Sequence, residues 1–275
     1  MNNSLAIFVH YAKNGKPCNN AILYILELAK YFNEVIVASN ISHSIENDNV
    51  TWIKFDKNGY DFGYFYQALE LVNAYDNYDT IGLFNDSNYI IRPLKPFMDW
   101  VKKTDCLLCG ITDCNYGRPD VQLANQYHIQ SHAVIYKKQA ILMLSEHFTS
   151  IKMDQVFDIK DSYELRSKII IDCEIMTSIN LISKGIKAGA YYSVNDILPA
   201  LKPDAPANTN PHIILWKELI ESTKYPFIKK KILDLSFHPY DMQDLNKNTL
   251  IYPMSEANAI VERFGNPEFV PIIYK

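Results

Sequence analysis

Hydrophobic and polar positions along the chain switch repeatedly between a two-residue and a three-to-four-residue period. Leu5 to His10 is an apolar run of strand type, and Tyr11 to Asn20 reads as a loop. From Ala21 to Phe32, Ile22, Ile25, Leu26 and Ala29 fall on one helical face. Glu34 to Ala38 and Val50 to Phe55 read as strands, and Phe62 to Ala74 as a helix with a stripe of Phe62, Phe65, Leu69 and Val72. Further strands are predicted at Thr80 to Phe84, Cys106 to Thr112 and Ser131 to Tyr136. Helices are predicted at Pro96 to Lys103 and Gln139 to Phe148. Strands alternating with helices argue for an α/β fold with a mostly parallel sheet sandwiched by helices.

A long helix is expected to begin at Asp172 as N-cap. Ile175, Ile179 and Ile182 make its buried stripe, Lys184 suits the last turn and Gly185 the left-handed cap. The proline-rich stretch from Leu198 to Ala207 reads as a connector. It divides residues 1–200, the α/β domain, from residues 201–275, a mostly helical extension packed on it. Helical pattern resumes at His212 to Ser222, Phe227 to Leu235 and Ser255 to Arg263.

Composition narrows the function classes. The chain has 275 residues, 48% hydrophobic and 21% charged, which suits one large domain or one domain with an appendage. A net charge of −4 gives no broad nucleic-acid footprint, so nucleic acid is not an expected partner. The dense basic run Lys229-Lys230-Lys231 is either a solvated helix face or a peripheral contact with an anionic inner membrane surface. No apolar stretch approaches a membrane span and no signal peptide is read, so a cytoplasmic protein is expected. The five cysteines then read as free thiols, Cys106 and Cys109 being buried rather than a metal or redox pair.

Two acidic sites carry candidate chemistry. The apolar run Ile81 to Phe84 delivers Asn85, Asp86 and Ser87 to a strand's C-terminal end, where parallel α/β sheets bind ligands. These residues either hold a ligand or divalent cation (Mg²⁺ or Mn²⁺) through Asp86, or simply make the turn. Asp172 and Glu174 are either ordinary acidic first-turn residues or a general base kept ionised by the helix dipole. His132 reads as structural and His128 stays open. Gly-rich phosphate loops, a G-x-S-x-G elbow and an H-E-x-x-H pair are all missing from the sequence.

Several segments, in order, resemble the rhamnan synthesis protein F glycosyltransferases of bacterial polysaccharide assembly. They are Gly59-Tyr-Asp-Phe-Gly63, Leu83-Phe-Asn-Asp-Ser-Asn-Tyr89, Gly110-Ile-Thr112, His128-Ile-Gln-Ser131, Asp172-Cys-Glu174 with Gly185, Asn210-Pro211 with Trp216, and Pro226-Phe-Ile-Lys229. Asn85-Asp86-Ser87 is also similar to the Asp-any-Asp motif of sugar-nucleotide glycosyltransferases, with Asn for the first Asp. The resemblance implies a GT-A-like fold, a nucleoside-diphosphate sugar donor such as dTDP-L-rhamnose, and a glycan or lipid-linked glycan acceptor. It implies donor binding by Asn58, Asp61, Asn85, Asp86 and Ser87, with any divalent cation at Asp86. His128 to Ser131 would flank the acceptor side, with His128 and Gln130 as its binding residues. Glu174 would be the base of an inverting transfer, with Asp172 as its rival. The departing diphosphate would be stabilised by a metal or by cations such as Lys57 or Arg92. His212 departs from the family pattern, and one carboxylate replaces two at Asp86. The competing readings are a non-catalytic sugar-nucleotide-binding scaffold and, less favoured, a nucleotidyltransferase.

Overall fold

The computed structural model describes residues 3–57, 59–115, 126–203, 210–234, 254–267 and 269. Its centre is an eight-stranded sheet in the order β3-β2-β1-β4-β8-β6-β7, with β9 alongside β6. β1 (Ser4–His10), β2 (Glu34–Ser39), β3 (Val50–Lys54) and β4 (Thr80–Asn85) run parallel. β8 (Ala133–Lys137) is antiparallel to both β4 and β6 (Leu108–Cys114). β7 (His128–Ile129) is antiparallel to β6, whereas β9 (Ala188–Tyr192) is parallel to it. The expected mostly parallel, helix-covered sheet therefore forms.

Alternation along β1 divides the core in two. Ala6 and Phe8 point to one side, where they join Tyr24, Ile25 and Leu28 of α1 (Asn19–Ala29). Leu5, Ile7 and Val9 point to the other. There they meet Phe62, Phe65 and Leu69 of α2 (Tyr60–Leu71), with the short α3 (Ala74–Asn77) beyond it. Ile141, Leu144 and Phe148 of α5 (Lys138–Ser150) join the same side. Gly82 in β4 is required by this packing, since a Cβ there would lie 2.4 Å from the Phe84 ring.

The C-terminal elements complete the first core. β5 (Asn88–Ile90) pairs antiparallel with β10 (Phe227–Lys229). α4 (Lys95–Lys103) and α11 (Trp216–Ser222) supply Phe97, Trp216, Leu219 and Ile220, and the helix Met254–Phe264 adds Ile260 and Val261. The strand at Phe227 replaces the predicted helix, which begins only at α12 (Lys230–Asp234). Phe227 and Ile228 are fully buried, and pairing with β5 outweighs their local helical spacing.

Arg92 ties this region down. Its guanidinium donates to the carbonyls of Ile220, Thr223, Tyr225 and Phe264 at 2.7–3.1 Å. Four of its five donors are therefore committed to structure rather than to a diphosphate. Lys57, the other cation considered above, lies 5.3 Å over the Phe157 ring.

Two boundaries differ from the sequence reading. Asp172 is not an N-cap. The helix starts earlier, as α7 (Ser162–Lys168), after the short α6 (Met153–Val156). Its cap is Asp161, whose side chain accepts from Glu164 N–H at 2.7 Å. It continues through a π-helical segment, Ile169–Ile175, into α8 (Met176–Ser183). Glu174 therefore does not occupy a first turn, and the dipole argument for its ionisation falls. The other end is as expected. Gly185 has φ +88, and Ile186 N–H reaches Leu181 O while Gly185 N–H reaches Ile182 O, the Schellman pattern. The proline-rich connector also starts later than expected, because α9 (Val194–Leu201) runs through Pro199. The short α10 (Pro211–Ile214) follows, capped by Asn210. Among the described residues, no helix is long and apolar enough to cross a membrane.

Candidate active site at the strand carboxyl ends

Register brings the polar groups together. β1 and β4 pair with Val9 opposite Asn85, so the next residues, His10 and Asp86, emerge side by side. His10 Nδ1–H donates to Asp86 Oδ2 at 2.5 Å. β5 and β10 pair with Asn88 opposite Lys229, and Lys230 N–H donates to Ser87 O at 3.0 Å. This sets Lys230 Nζ 3.3 Å from Asp86 Oδ2. Burial works to raise the Asp86 pKa, but the His10 bond and the Lys230 charge outweigh it and hold the carboxyl below its ordinary value.

The next residue back points elsewhere. Asn85 Nδ2 donates to Asp61 Oδ2 at 2.8 Å, while its Oδ1 accepts from Ser87 N–H at 3.1 Å and Ser87 Oγ at 2.6 Å. Asp61 sits in the first turn of α2. The sequence Gly59-Tyr-Asp-Phe-Gly63 makes that turn possible. A Cβ on Gly59 would lie 2.9 Å from Gly63 Cα, and Tyr60 takes a left-handed φ of +53. A bulky residue rarely holds that conformation, and such strain gathers at functional sites. The Asp61 residue is half-buried by area, but its carboxyl is enclosed. Burial, helped by the charge of Glu174, raises its pKa to about 6.

Because β8 is antiparallel to β4, with Ala133 opposite Phe84, the turn entering β8 also lies at this edge. Ser131 in that turn donates to Glu174 Oε1 twice, from its backbone N–H at 3.1 Å and its hydroxyl at 2.9 Å. Among the described residues Glu174 Oε2 has no hydrogen bond. The site is thus a row along the sheet edge: Lys230, Asp86 and His10, then Asn85 and Ser87, then Asp61, then Glu174.

The other sequence candidates lie variously. Asn58 falls outside the described residues. Asp172 belongs to the opposite side of the helix from Glu174. It pairs with Lys168 at 2.6 Å and lines a shallow groove with His147 and Asn180. His128 and Gln130 are buried. His128 Nδ1 bonds Gln126 O at 2.8 Å, and Gln130 bridges Thr112 at 2.7 Å and Asn210 at 3.2 Å. His132 stacks on His212, with ring centroids 4.3 Å apart.

Sequence reasoning passed over His10 and Lys230 as site members, and it placed Ser131 on the acceptor side without its bond to Glu174. His10 carried a readable signal, a polar residue ending an apolar strand next to another such strand end. Lys230 carried none, because it reaches Asp86 only through the β5–β10 pairing.

Fold and site together define an open α/β protein with a row of charged and polar side chains at the carboxyl ends of its parallel strands, where such sheets bind ligands. The rhamnan synthesis protein F family model matches residues 35–270, and the chain belongs to that family. No curated protein matches this sequence. Similar solved structures include a galactosyltransferase, LgtC, in complex with donor and acceptor sugar analogs. It shows 12% identity and a TM-score of 0.43, over 98% of this chain and 99% of that one. Another is the 2-C-methyl-D-erythritol 4-phosphate cytidylyltransferase of Francisella tularensis. It shows 14% identity and a TM-score of 0.40, over 72% and 98% of the two chains. Both likenesses are too loose to carry chemistry across.

Proposed function

We propose that the protein is a glycosyltransferase. It moves a sugar from a nucleoside-diphosphate donor, dTDP-L-rhamnose first among those to try, to a hydroxyl of a growing bacterial surface glycan, with inversion. The observation that supports this most is Glu174 beside Asp61, with one carboxylate oxygen held by Ser131 and the other unbonded among the described residues, in a rhamnan synthesis protein F chain.

The chemistry asks for few groups. The acceptor hydroxyl gives its proton to Glu174 Oε2, and its oxygen forms the new bond to the anomeric carbon. The bond from that carbon to the diphosphate oxygen breaks, its electron pair leaving with the diphosphate, through an oxocarbenium-like state. The Ser131 bonds fix the carboxylate for that proton transfer. Asp61, Asn85 and Ser87 serve the donor, and His128 and Gln130 support the acceptor side from beneath.

The residues present do not suit a resident divalent cation. Hard cations take several oxygen ligands. Asp86 Oδ2 is already shared by His10 and Lys230, and the ammonium 3.3 Å away repels a second positive charge. Among the described residues, no group of three acids, histidines or cysteines is arranged to hold a metal.

A panel of nucleoside-diphosphate sugars incubated with the protein and a rhamnan-type acceptor tests the reading. Sugar transfer with inverted anomeric configuration is expected. Donor binding with neither transfer nor hydrolysis would instead mark a sugar-nucleotide-binding scaffold.

A further inference from the structure

The pairing of Lys230 with Asp86 gives a specific account of how the diphosphate is held. We propose that Lys230 is the cationic donor-phosphate ligand of this site, and that Asp86 and His10 hold its ammonium in place to receive a diphosphate. The inference rests on the glycosyltransferase reading.

Four observations carry it. Lys230 Nζ is 3.3 Å from Asp86 Oδ2, with the two side chains 22% and 21% exposed, so the pair is screened yet reachable. The ammonium also lies 5.4 Å over the Tyr89 ring and 3.9 Å from Cys18 Sγ. Cation–π contact and a weak sulfur acceptor position it without neutralising it. Its backbone is tied to Ser87, on the turn that carries Asp86, so the lysine is anchored to the site by its own chain. Finally, two other cations are placed otherwise, Arg92 on four carbonyls and Lys57 over Phe157.

An ammonium with three donors can keep its contact with Asp86 while giving hydrogen bonds to phosphate oxygens. The departing diphosphate gains negative charge as the glycosidic bond breaks, and a fixed positive charge there stabilises the leaving group most at that moment. His10, donating to the same Asp86 oxygen, keeps that carboxylate ionised and oriented.

The test is binding of UDP and dTDP by calorimetry in EDTA, for the wild-type protein, Lys230→Met and Lys230→Arg, with melting temperatures alongside. Wild-type binding should persist in EDTA and weaken with added salt. Lys230→Met should lose about tenfold or more in affinity, and Lys230→Arg should retain most of it. Wild-type binding that appears only with Mn²⁺, and is equal in Lys230→Met, would overturn the inference and leave the glycosyltransferase reading standing. Failure of the wild type to bind either nucleotide, with or without Mn²⁺, would overturn both. Should Lys230→Met melt early, Lys230→Arg decides: an affinity as low as with no cation at all contradicts the proposal.

Discussion

Ser131 holds Glu174 by two hydrogen bonds to the same carboxylate oxygen, one from its backbone N–H at 3.1 Å and one from its hydroxyl at 2.9 Å. The pairing joins a turn entering β8 to a π-helical segment distant in sequence. One-turn π-helices recur at functional sites, and here the segment carries the residue proposed as base.

Removing the hydroxyl loosens that carboxylate without removing it. Ser131→Ala should lower kcat by about tenfold while the donor KM and the melting temperature change little, since the backbone bond remains. Ser131→Thr keeps the hydroxyl and should recover part of the rate. Equal loss in both variants, or a loss confined to KM, would place Ser131 outside the positioning of Glu174.

Asp61 links pH to stability with a definite sign. Its folded pKa of about 6 lies above the ordinary 3.8, so the folded state favours the protonated form. That contribution is fully present below about pH 3.8 and is lost as pH rises through about 6. Asp61→Asn cannot ionise. Relative to the wild type it should therefore be more stable at pH 8 than at pH 4, by at most about 3 kcal/mol. Melting curves at both pH values measure the difference. A gap independent of pH would mean that the carboxyl is not held in this environment. In Glu174→Gln the neighbouring charge is gone, and the Asp61 titration followed by carboxyl NMR should move down.

The stacked, buried pair His132 and His212 should weaken the fold as pH falls. Asn88 Oδ1 accepts from His212 Nε2–H at 2.5 Å, and Tyr225 donates its hydroxyl to His212 Nδ1, so the ring is neutral with both nitrogens engaged. Burial pushes both histidines well below 6.5, each ring's neighbours adding to the effect. Depressed histidines give stability that is present above the unfolded value of about 6.5 and is lost as pH falls below it. As pH falls below about 6.5, unfolding should take up a rising number of protons at these rings, up to two in all. The slope of unfolding free energy with pH reads that number, and a flat profile would contradict it.

Gly59 tests the turn beneath Asp61. Gly59→Ala places a methyl group 2.9 Å from Gly63 Cα and 3.0 Å from the Phe157 ring, where backbone cannot yield cheaply. A cost of about 1–3 kcal/mol is expected, with weaker donor binding as the start of α2 shifts. Gly15→Ala is the control for space, since nothing lies within 4 Å there, although its φ of +69 adds some strain. An unchanged melting temperature and donor affinity in Gly59→Ala would remove the steric reason given for this glycine.

How far the sequence spoke follows from what each feature depends on. β1, β2 and β4 were legible because each is a continuous apolar run buried on both faces. Gly185 was legible because a left-handed cap is a local need. The true start of the Glu174 helix was not. Asp161 and Asp172 offer equal capping chemistry, and only the burial of Leu165 and Ile169 shows which turn is continuous. β10 was read as helix because its pairing with β5 is a long-range contact. Of the site, Asn85 and Asp86 follow from strand-end position. Lys230 meets Asp86 through the β5–β10 pairing, and Ser131 meets Glu174 through the β4–β8 pairing, neither of which a local pattern encodes.

The central claim is that Glu174 takes the acceptor's proton, and Glu174→Gln tests it most directly. Glutamine keeps the size and can still accept the Ser131 bonds, but it cannot take the proton. With dTDP-L-rhamnose or whichever donor the panel identifies, turnover should fall by about a hundredfold or more while donor Kd stays nearly unchanged. Turnover equal to the wild type in Glu174→Gln would contradict the account, and a matching loss in Asp172→Asn would move the base to the other side of the helix.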